Sequence, residues 1–116
     1  PILLTLTPRN EWHEGNGQSR GFVYPVKEKR GKKYIERRNE TYGAWCRKVA
    51  EETGAELVDV HNITANALDK MGQKKAAAYF NHDHTHTSLK GARLNAKSVA
   101  AGLRANGSKA AQLLKK

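Results

Sequence analysis

Apolar and polar positions divide the chain into alternating strand-like and helix-like segments. Residues 1–7, Pro-Ile-Leu-Leu-Thr-Leu-Thr, form a short apolar run stopped by Pro8. Its lack of alternation suits a strand covered on both faces, as in a parallel sheet. From Arg9 to about Glu40 no period holds, and glycines at 15, 17, 21 and 31 with Pro25 predict a long loop. Within it, Gly21-Phe-Val-Tyr-Pro-Val has the composition of a small hairpin or an edge. Tyr42, Trp45, Cys46, Val49 and Ala50 then recur at the spacing of one buried helical stripe. Thr41 or Asn39 can cap that helix and Gly54 can end it. Cys46 lies on the stripe, so it reads as a packed core thiol.

Glu56-Leu-Val-Asp-Val-His61 reads as a second buried strand. A helix opened by Asn62 or Thr64 is predicted to about Phe80, with Ile63, Ala67, Leu68 and Met71 inward. Asn81–Thr87 is polar and histidine-rich. A last helix runs from Ser88 to Ala105, with Leu89, Ala92, Ala96, Val99, Ala100 and Leu103 inward, and Gly107 ends it. Residues 106–116 are expected to fray. Strand–helix alternation of this kind implies an α/β domain with parallel strands joined by crossover helices. Two strands do not make a sufficient sheet, so more must come from an upstream part or a partner. Pro1 opens directly onto an apolar run, and the chain is expected to be a fragment or a processed piece.

No apolar run approaches the ~20 residues of a membrane-spanning helix, and no signal peptide is visible. The single cysteine excludes an internal disulfide framework. Lys and Arg number 21 against 11 Asp and Glu, a formal charge of +10 that attracts polyanions. Eight basic side chains fall in residues 20–38: Arg20, Lys27, Lys29, Arg30, Lys32, Lys33, Arg37 and Arg38. Such a basic loop is commonly just solvated surface.

The informative stretch is Asn81-His-Asp-His-Thr-His-Thr-Ser88, followed by Leu89-Lys-Gly-Ala92. An Asp three residues before a His can fold back and accept a bond from the imidazole Nδ1–H. That fixes the tautomer and leaves Nε2 free to take a proton from a serine hydroxyl. The spacing supplies a base and its orienter from one short turn, and no nucleophile.

Asp83-x-x-His86 resembles the C-terminal Asp-x-x-His block of SGNH/GDSL hydrolases. The longer string Asp83-His-Thr-His-Thr87, with Gly91-Ala92 opening the next helix, is most similar to the rhamnogalacturonan acetylesterases. Pro1–Arg9 with Trp12 downstream, Tyr42–Glu52 and Leu57-Val-Asp-Val-His61 follow the same order, and the likeness is loosest over residues 13–38. The resemblance implies the C-terminal portion of a single flavodoxin-like α/β/α sandwich, its N-terminal half absent. It implies hydrolysis of an ester through a serine acyl-enzyme, with His86 as general base and then acid and Asp83 as its orienter. The serine and oxyanion donors of such enzymes sit in N-terminal blocks. No Gly-Asp-Ser occurs here; Gly17-Gln-Ser-Arg-Gly21 has the letters Gly-x-Ser-x-Gly but lies in the predicted loop and not at a strand-to-helix elbow, and Ser19, Ser88, Ser98 and Ser108 lack matching context. The chain alone is therefore expected to be inactive. An acetylated, acidic (pectic or related) polysaccharide is the implied substrate, without a cofactor, in an extracellular or periplasmic setting. Trp12, after the first strand, is either an aromatic platform for sugar or a core anchor.

The same residues admit other readings. His82, Asp83, His84 and His86, with His61 or His13, have the chemistry of divalent metal ligands. A structural zinc site draws on two separated segments, however, and no second cluster is evident. Asp83 and His86 could form only a helix-capping turn, and Asp59 and His61 read as structural polar groups. The alternative function is polyanion or nucleic-acid binding without catalysis, using the basic residues with Phe22, Tyr24 and Tyr34. No helix-turn-helix, RNA-recognition or zinc-finger signature supports it.

Overall fold

The computed structural model describes residues 1–14, 32–37 and 42–115. Strand β1 (Ile2–Leu4) pairs in parallel with β4 (Glu56–Val58), Ile2, Leu3 and Leu4 standing opposite Glu56, Leu57 and Val58. Between them come β2 (Trp12–Glu14) and β3 (Lys33–Ile35), an antiparallel pair inside the region expected to be loop, and helix α1 (Ala44–Thr53). Helices α2 (Val60–Met71), α3 (Gln73–Ala76) and α4 (Leu89–Ala105) follow. Among the described residues the result is an α/β domain with four helices and a small parallel sheet. Residues 15–31 and 38–41 are outside the described residues. The Gly21–Val26 hairpin, most of the basic run, and the caps Asn39 and Thr41 therefore lie there too.

The second strand stops at Val58, three residues sooner than its composition predicts, because Asp59 caps the next helix. Its Oδ1 accepts from the Asn62 backbone N–H at 3.1 Å and its Oδ2 from the Asn62 side chain at 2.8 Å. Helix α2 accordingly starts at Val60. It ends at Gly72, whose φ of 85° and ψ of 159° belong to a region that only glycine enters readily. The chain thus reaches Phe80 through a second short helix and a 3-10 turn at Ala77–Tyr79, where one long helix was predicted.

The inward face of α2 is Val60, His61, Thr64, Ala65, Leu68 and Asp69. Only Leu68 belongs to the predicted stripe; Ile63, Ala67 and Met71 are half-buried. Polar side chains occupy the interior here because they find partners in it. Asp69 accepts from the Ile35 backbone N–H at 2.7 Å and from Arg37 Nη2 at 2.6 Å. Arg37 is fully buried, so one member of the supposed solvated loop is a core ion-pair residue. Burial raises the Asp69 carboxyl above its ordinary value of 3.8, opposed by the Ile35 N–H and by Arg37.

Around this pair one core cluster gathers Ile35, Ala65, Leu68, Ala76 and Phe80, with Trp12, Met71, Tyr79 and Leu94 against it. A second holds Val58, Val60 and Leu103, with Ile63, Val99, Ala110, Ala111 and Leu114. Each buried Leu, Ile or Val contributes about 1.5–3 kcal/mol. Helix α4 reaches both clusters through two glycines. A Cβ on Gly102 would meet Val58 Cγ1 at 2.2 Å, and one on Gly91 would meet the Tyr79 carbonyl oxygen at 2.0 Å. The segment after Asn106, expected to fray, turns into a 3-10 helix at Lys109–Leu113. Ser108 donates to Glu56 Oε2 at 2.8 Å, and Ala110, Ala111 and Leu114 pack on the second cluster, which holds it in place.

The α1 stripe is only partly covered. Ala50 is buried and Cys46 half-buried, its thiol 3.8 Å from the Leu4 carbonyl, whereas Tyr42, Trp45 and Val49 are exposed. Ile2, Leu4 and Leu6 are exposed beside them. The stripe is wider than two strands can cover. Leu89, Ala92 and Ala96 are also exposed, contrary to the predicted inner face of α4, whose buried residues are Gly91, Ser98, Gly102 and Leu103.

Removing one member of a buried ion pair leaves the other charge uncompensated. Asp69→Ala should lower unfolding free energy by about 3–5 kcal/mol, measured by urea denaturation. A loss within about 1 kcal/mol would mean that the Arg37–Asp69 pair does not organise this core.

Candidate active-site turn

The carboxyl ends of β1 and β4 are joined by a lock of polar side chains. Thr5 donates from its backbone N–H to the Val58 carbonyl and from its hydroxyl to Asp59 Oδ1, both at 3.1 Å. The Thr5 hydroxyl accepts from the His61 N–H at 2.9 Å. The buried His61 ring places Nδ1 3.0 Å from the Leu6 carbonyl. Burial pushes the His61 imidazole below its ordinary value of 6.5; the Leu6 carbonyl opposes this and nearby Arg37 reinforces it. Asp59 and His61 are thus structural, tying the end of the sheet to the start of α2.

Above this end stands the turn that carries Asp83 and His86. Its stem is a bridge between Phe80 and Thr87, with the Asn81 N–H donating to the His86 carbonyl at 2.8 Å. Ser88 closes the stem: its N–H donates to the Tyr79 carbonyl at 3.1 Å and its hydroxyl to the Ala78 carbonyl at 2.7 Å. The same hydroxyl accepts from the Gly91 N–H at 3.3 Å and so caps α4. Gly91 is required here, since a side chain would strike the Tyr79 carbonyl and force α4 off the stem. From the other side, the Asn10 N–H donates to the His84 carbonyl at 2.7 Å. Glu11 Oε1 lies 3.7 Å from His84 Nδ1.

Within the turn Asp83 accepts three hydrogen bonds. Oδ1 takes the Thr85 N–H at 2.7 Å and the His86 N–H at 2.6 Å, and Oδ2 lies 2.6 Å from His86 Nδ1. These bonds, first the His86 backbone N–H and then its ring, hold the Asp83 carboxyl far below its ordinary value of 3.8. Asp83 is therefore a carboxylate at neutral pH. With Nδ1 as donor to that carboxylate, the neutral form of the His86 ring has Nε2 as its acceptor nitrogen. The His86 side chain is 76 % exposed and Asp83 50 %, so water screens the pair in this chain.

A cavity of about 290 Å³ opens beside the turn, lined by Leu6, Thr7, Arg9, Tyr42 and Thr85. It lies where the chain leaves β1, the end of a parallel sheet at which α/β folds gather ligands. Trp12 is not in its lining. Trp12 is half-buried against the first core cluster, its indole N–H donating to Asn10 Oδ1 at 2.9 Å, so of its two readings the core anchor fits its place. Likewise Tyr34 is buried, with Lys32 over its ring at 5.1 Å. Phe22 and Tyr24 lie outside the described residues. Among the described residues no three His, Cys, Asp or Glu side chains converge as metal ligands. His13 lies toward Glu36 at 3.9 Å and His61 toward Leu6, each apart from the turn. None of the described helices is long and apolar enough to cross a membrane.

Ser88 and Ser108 cap helical segments, and buried Ser98 donates to the Leu94 carbonyl at 3.0 Å. Among the described residues no serine hydroxyl is bonded to the His86 ring. Sequence reasoning did not single out Arg9, Tyr42 or Glu11 for this site. Arg9 lies in a run without period, Tyr42 falls on the apolar helical stripe, and a lone Glu carries no signal.

No family model matches the chain, and no curated protein matches it in sequence.

Burial lowers the His61 imidazole in the fold, whereas unfolded it charges below about pH 6.5. The unfolded state then binds more protons, so stability should fall as pH drops from about 7 to about 5. Urea midpoints measured across that range should show the fall, and His61→Gln should reduce its slope. An unchanged slope in His61→Gln would contradict a neutral, buried His61.

Proposed function

We propose that this chain supplies the base and its orienter for an SGNH/GDSL-type serine esterase. Such an enzyme deacetylates an acidic, pectic or related, polysaccharide. The observation that carries the reading is the 2.6 Å contact of His86 Nδ1 with an ionised Asp83, whose other oxygen is occupied within the same turn. A mere helix-capping turn does not need it, because Ser88 already caps α4.

In the proposed reaction a serine hydroxyl approaches Nε2 of His86 from outside these residues. Nε2 takes the proton as the serine oxygen attacks the ester carbonyl carbon. The intermediate collapses, the carbon–oxygen bond to the sugar breaks, and His86 returns the proton to the leaving oxygen. Water then repeats the sequence on the acetyl-serine, releasing acetate and the free serine. Asp83 stays ionised throughout and stabilises the imidazolium formed at each step. The cavity lined by Leu6, Thr7, Arg9, Tyr42 and Thr85 is well placed for the sugar beside the ester.

Two further observations support a completing element from another part of the same domain. Apolar side chains on β1 and α1 are exposed; the His86 side chain is exposed too, whereas a general base works best where water is excluded. Further parallel strands beside β1, as in a flavodoxin-like sandwich, would cover both.

The test uses the protein in which this chain is joined to its serine-bearing part, with an aryl acetate and an acetylated pectin as substrates. His86→Ala should reduce hydrolysis to background, and Asp83→Asn should lower kcat by roughly 10⁴-fold by favouring the wrong tautomer. The 116 residues alone should show no serine-dependent hydrolysis. Full rate in Asp83→Asn, or turnover by these residues alone, would overturn the proposal.

A further inference from the structure

A second surface has the chemistry of a binding site and plays no part in the proposed reaction. Helix α4 carries Lys90, Arg93, Lys97 and Arg104 and no acidic residue. Lys90, Arg93 and Lys97 stand at i, i+3 and i+7, so they share one face over about 10 Å of helix. They are exposed, and with half-buried Leu94 and Tyr79 they line a groove of about 220 Å³. No acidic side chain lines this groove among the described residues.

The placement of Lys90 runs against helix stability. The amino end of a helix carries partial positive charge and favours acidic side chains in its first turn. Lys90 sits in the first turn of α4, which has no acidic residue there, and Arg93 follows closely. The two positive fields add. Local rules are expected to be broken at functional or strained sites.

We propose that this groove binds a carboxylated polysaccharide chain, as a site separate from the Asp83–His86 turn. Arg93 offers a planar fork to a carboxylate, and Lys90 and Lys97 offer point charges on either side. Leu94 and the body of Tyr79 form an apolar floor for the carbon–hydrogen face of a sugar ring. A single-stranded nucleic acid is the poorer match. It takes much of its affinity from stacking successive bases on several aromatic rings, and the groove has one ring, half-buried. Tyr79 and Lys90 also flank the stem of the turn, since the Tyr79 carbonyl holds Ser88. A polymer lying along α4 would run toward His86. The choice of a polysaccharide rests in part on the proposed esterase reading; the cationic groove does not.

Calorimetric titration of the full chain with polygalacturonate at low salt tests the inference. The comparison ligands are the same polymer with its carboxylates methyl-esterified and a single-stranded DNA oligomer. Arg93→Ala/Lys97→Ala should weaken polygalacturonate binding roughly tenfold or more. Lys48→Ala/Lys70→Ala removes the same net charge from exposed positions elsewhere and should leave binding nearly unchanged. The methyl-esterified polymer should not bind. Circular dichroism of both variants checks that the fold is intact, as expected at exposed positions. An equal loss in the two double variants would show diffuse attraction to a basic protein and overturn the site. Failure to bind polygalacturonate, or tighter binding of DNA that is lost with Arg93→Ala/Lys97→Ala, would overturn it too. Hydrolysis assays on His86→Ala bear only on the turn, so the two proposals fail separately.

Discussion

Asp83 accepts three hydrogen bonds inside a turn of four residues, and a carboxylate so occupied has little choice of orientation. Two of those bonds come from backbone N–H groups that would otherwise need water; the third fixes a ring. The backbone bonds make the side-chain bond inexpensive, because the carboxylate is already ionised and aimed when the imidazole arrives. An exposed Asp–His pair is ordinarily a weak interaction, screened by solvent and opposed by side-chain entropy. Here the entropy is removed by the turn itself. Everything proposed about chemistry depends on that preorganisation.

The rest of the chain holds the turn in place. Two glycines let α4 approach the Tyr79 carbonyl at one end and Val58 at the other, so the helix spans both core clusters. The turn is thereby fastened between α4 and the segment that leaves α2. Asn10 and Glu11 brace it from the β1 side. The Thr5–Asp59–His61 lock holds the two parallel strands together at the end facing the cavity. The apolar side chains of Ile2 and Leu4 on β1 and of Trp45 and Val49 on α1 remain exposed. A parallel sheet is stable with both faces covered. The proposed completion by further strands would cover both that surface and the open imidazole.

Much of this fold was legible in the sequence where one physical signal dominated. The two apolar runs became the parallel strands, and Gly54 ended α1 in a left-handed conformation. The Asp83–His86 spacing carried its geometry openly, since both partners lie within one turn. Legibility failed where tertiary partners decide. Asp59 could be a strand residue or a helix cap, and only Thr5 and Asn62 in place make it the cap. Arg37 looked like one cation among eight, and its burial depends on Asp69, 32 residues away. Periodicity gave α2 an inner face of aliphatics, because a hydrophobic pattern has no place for His61 or Asp69 as interior residues. Arg9 and Tyr42 meet Thr85 at the cavity only through the packing of three separate segments.

The most direct test of the account is the tautomer of His86 in the folded chain. Long-range ¹H–¹⁵N correlation on protein labelled at histidine distinguishes the two ring nitrogens. The neutral imidazole of His86 should be almost wholly the Nδ1–H tautomer, and Asp83→Asn should abolish that preference. A mixture of tautomers in the unaltered chain, or a predominant Nε2–H form, would contradict it.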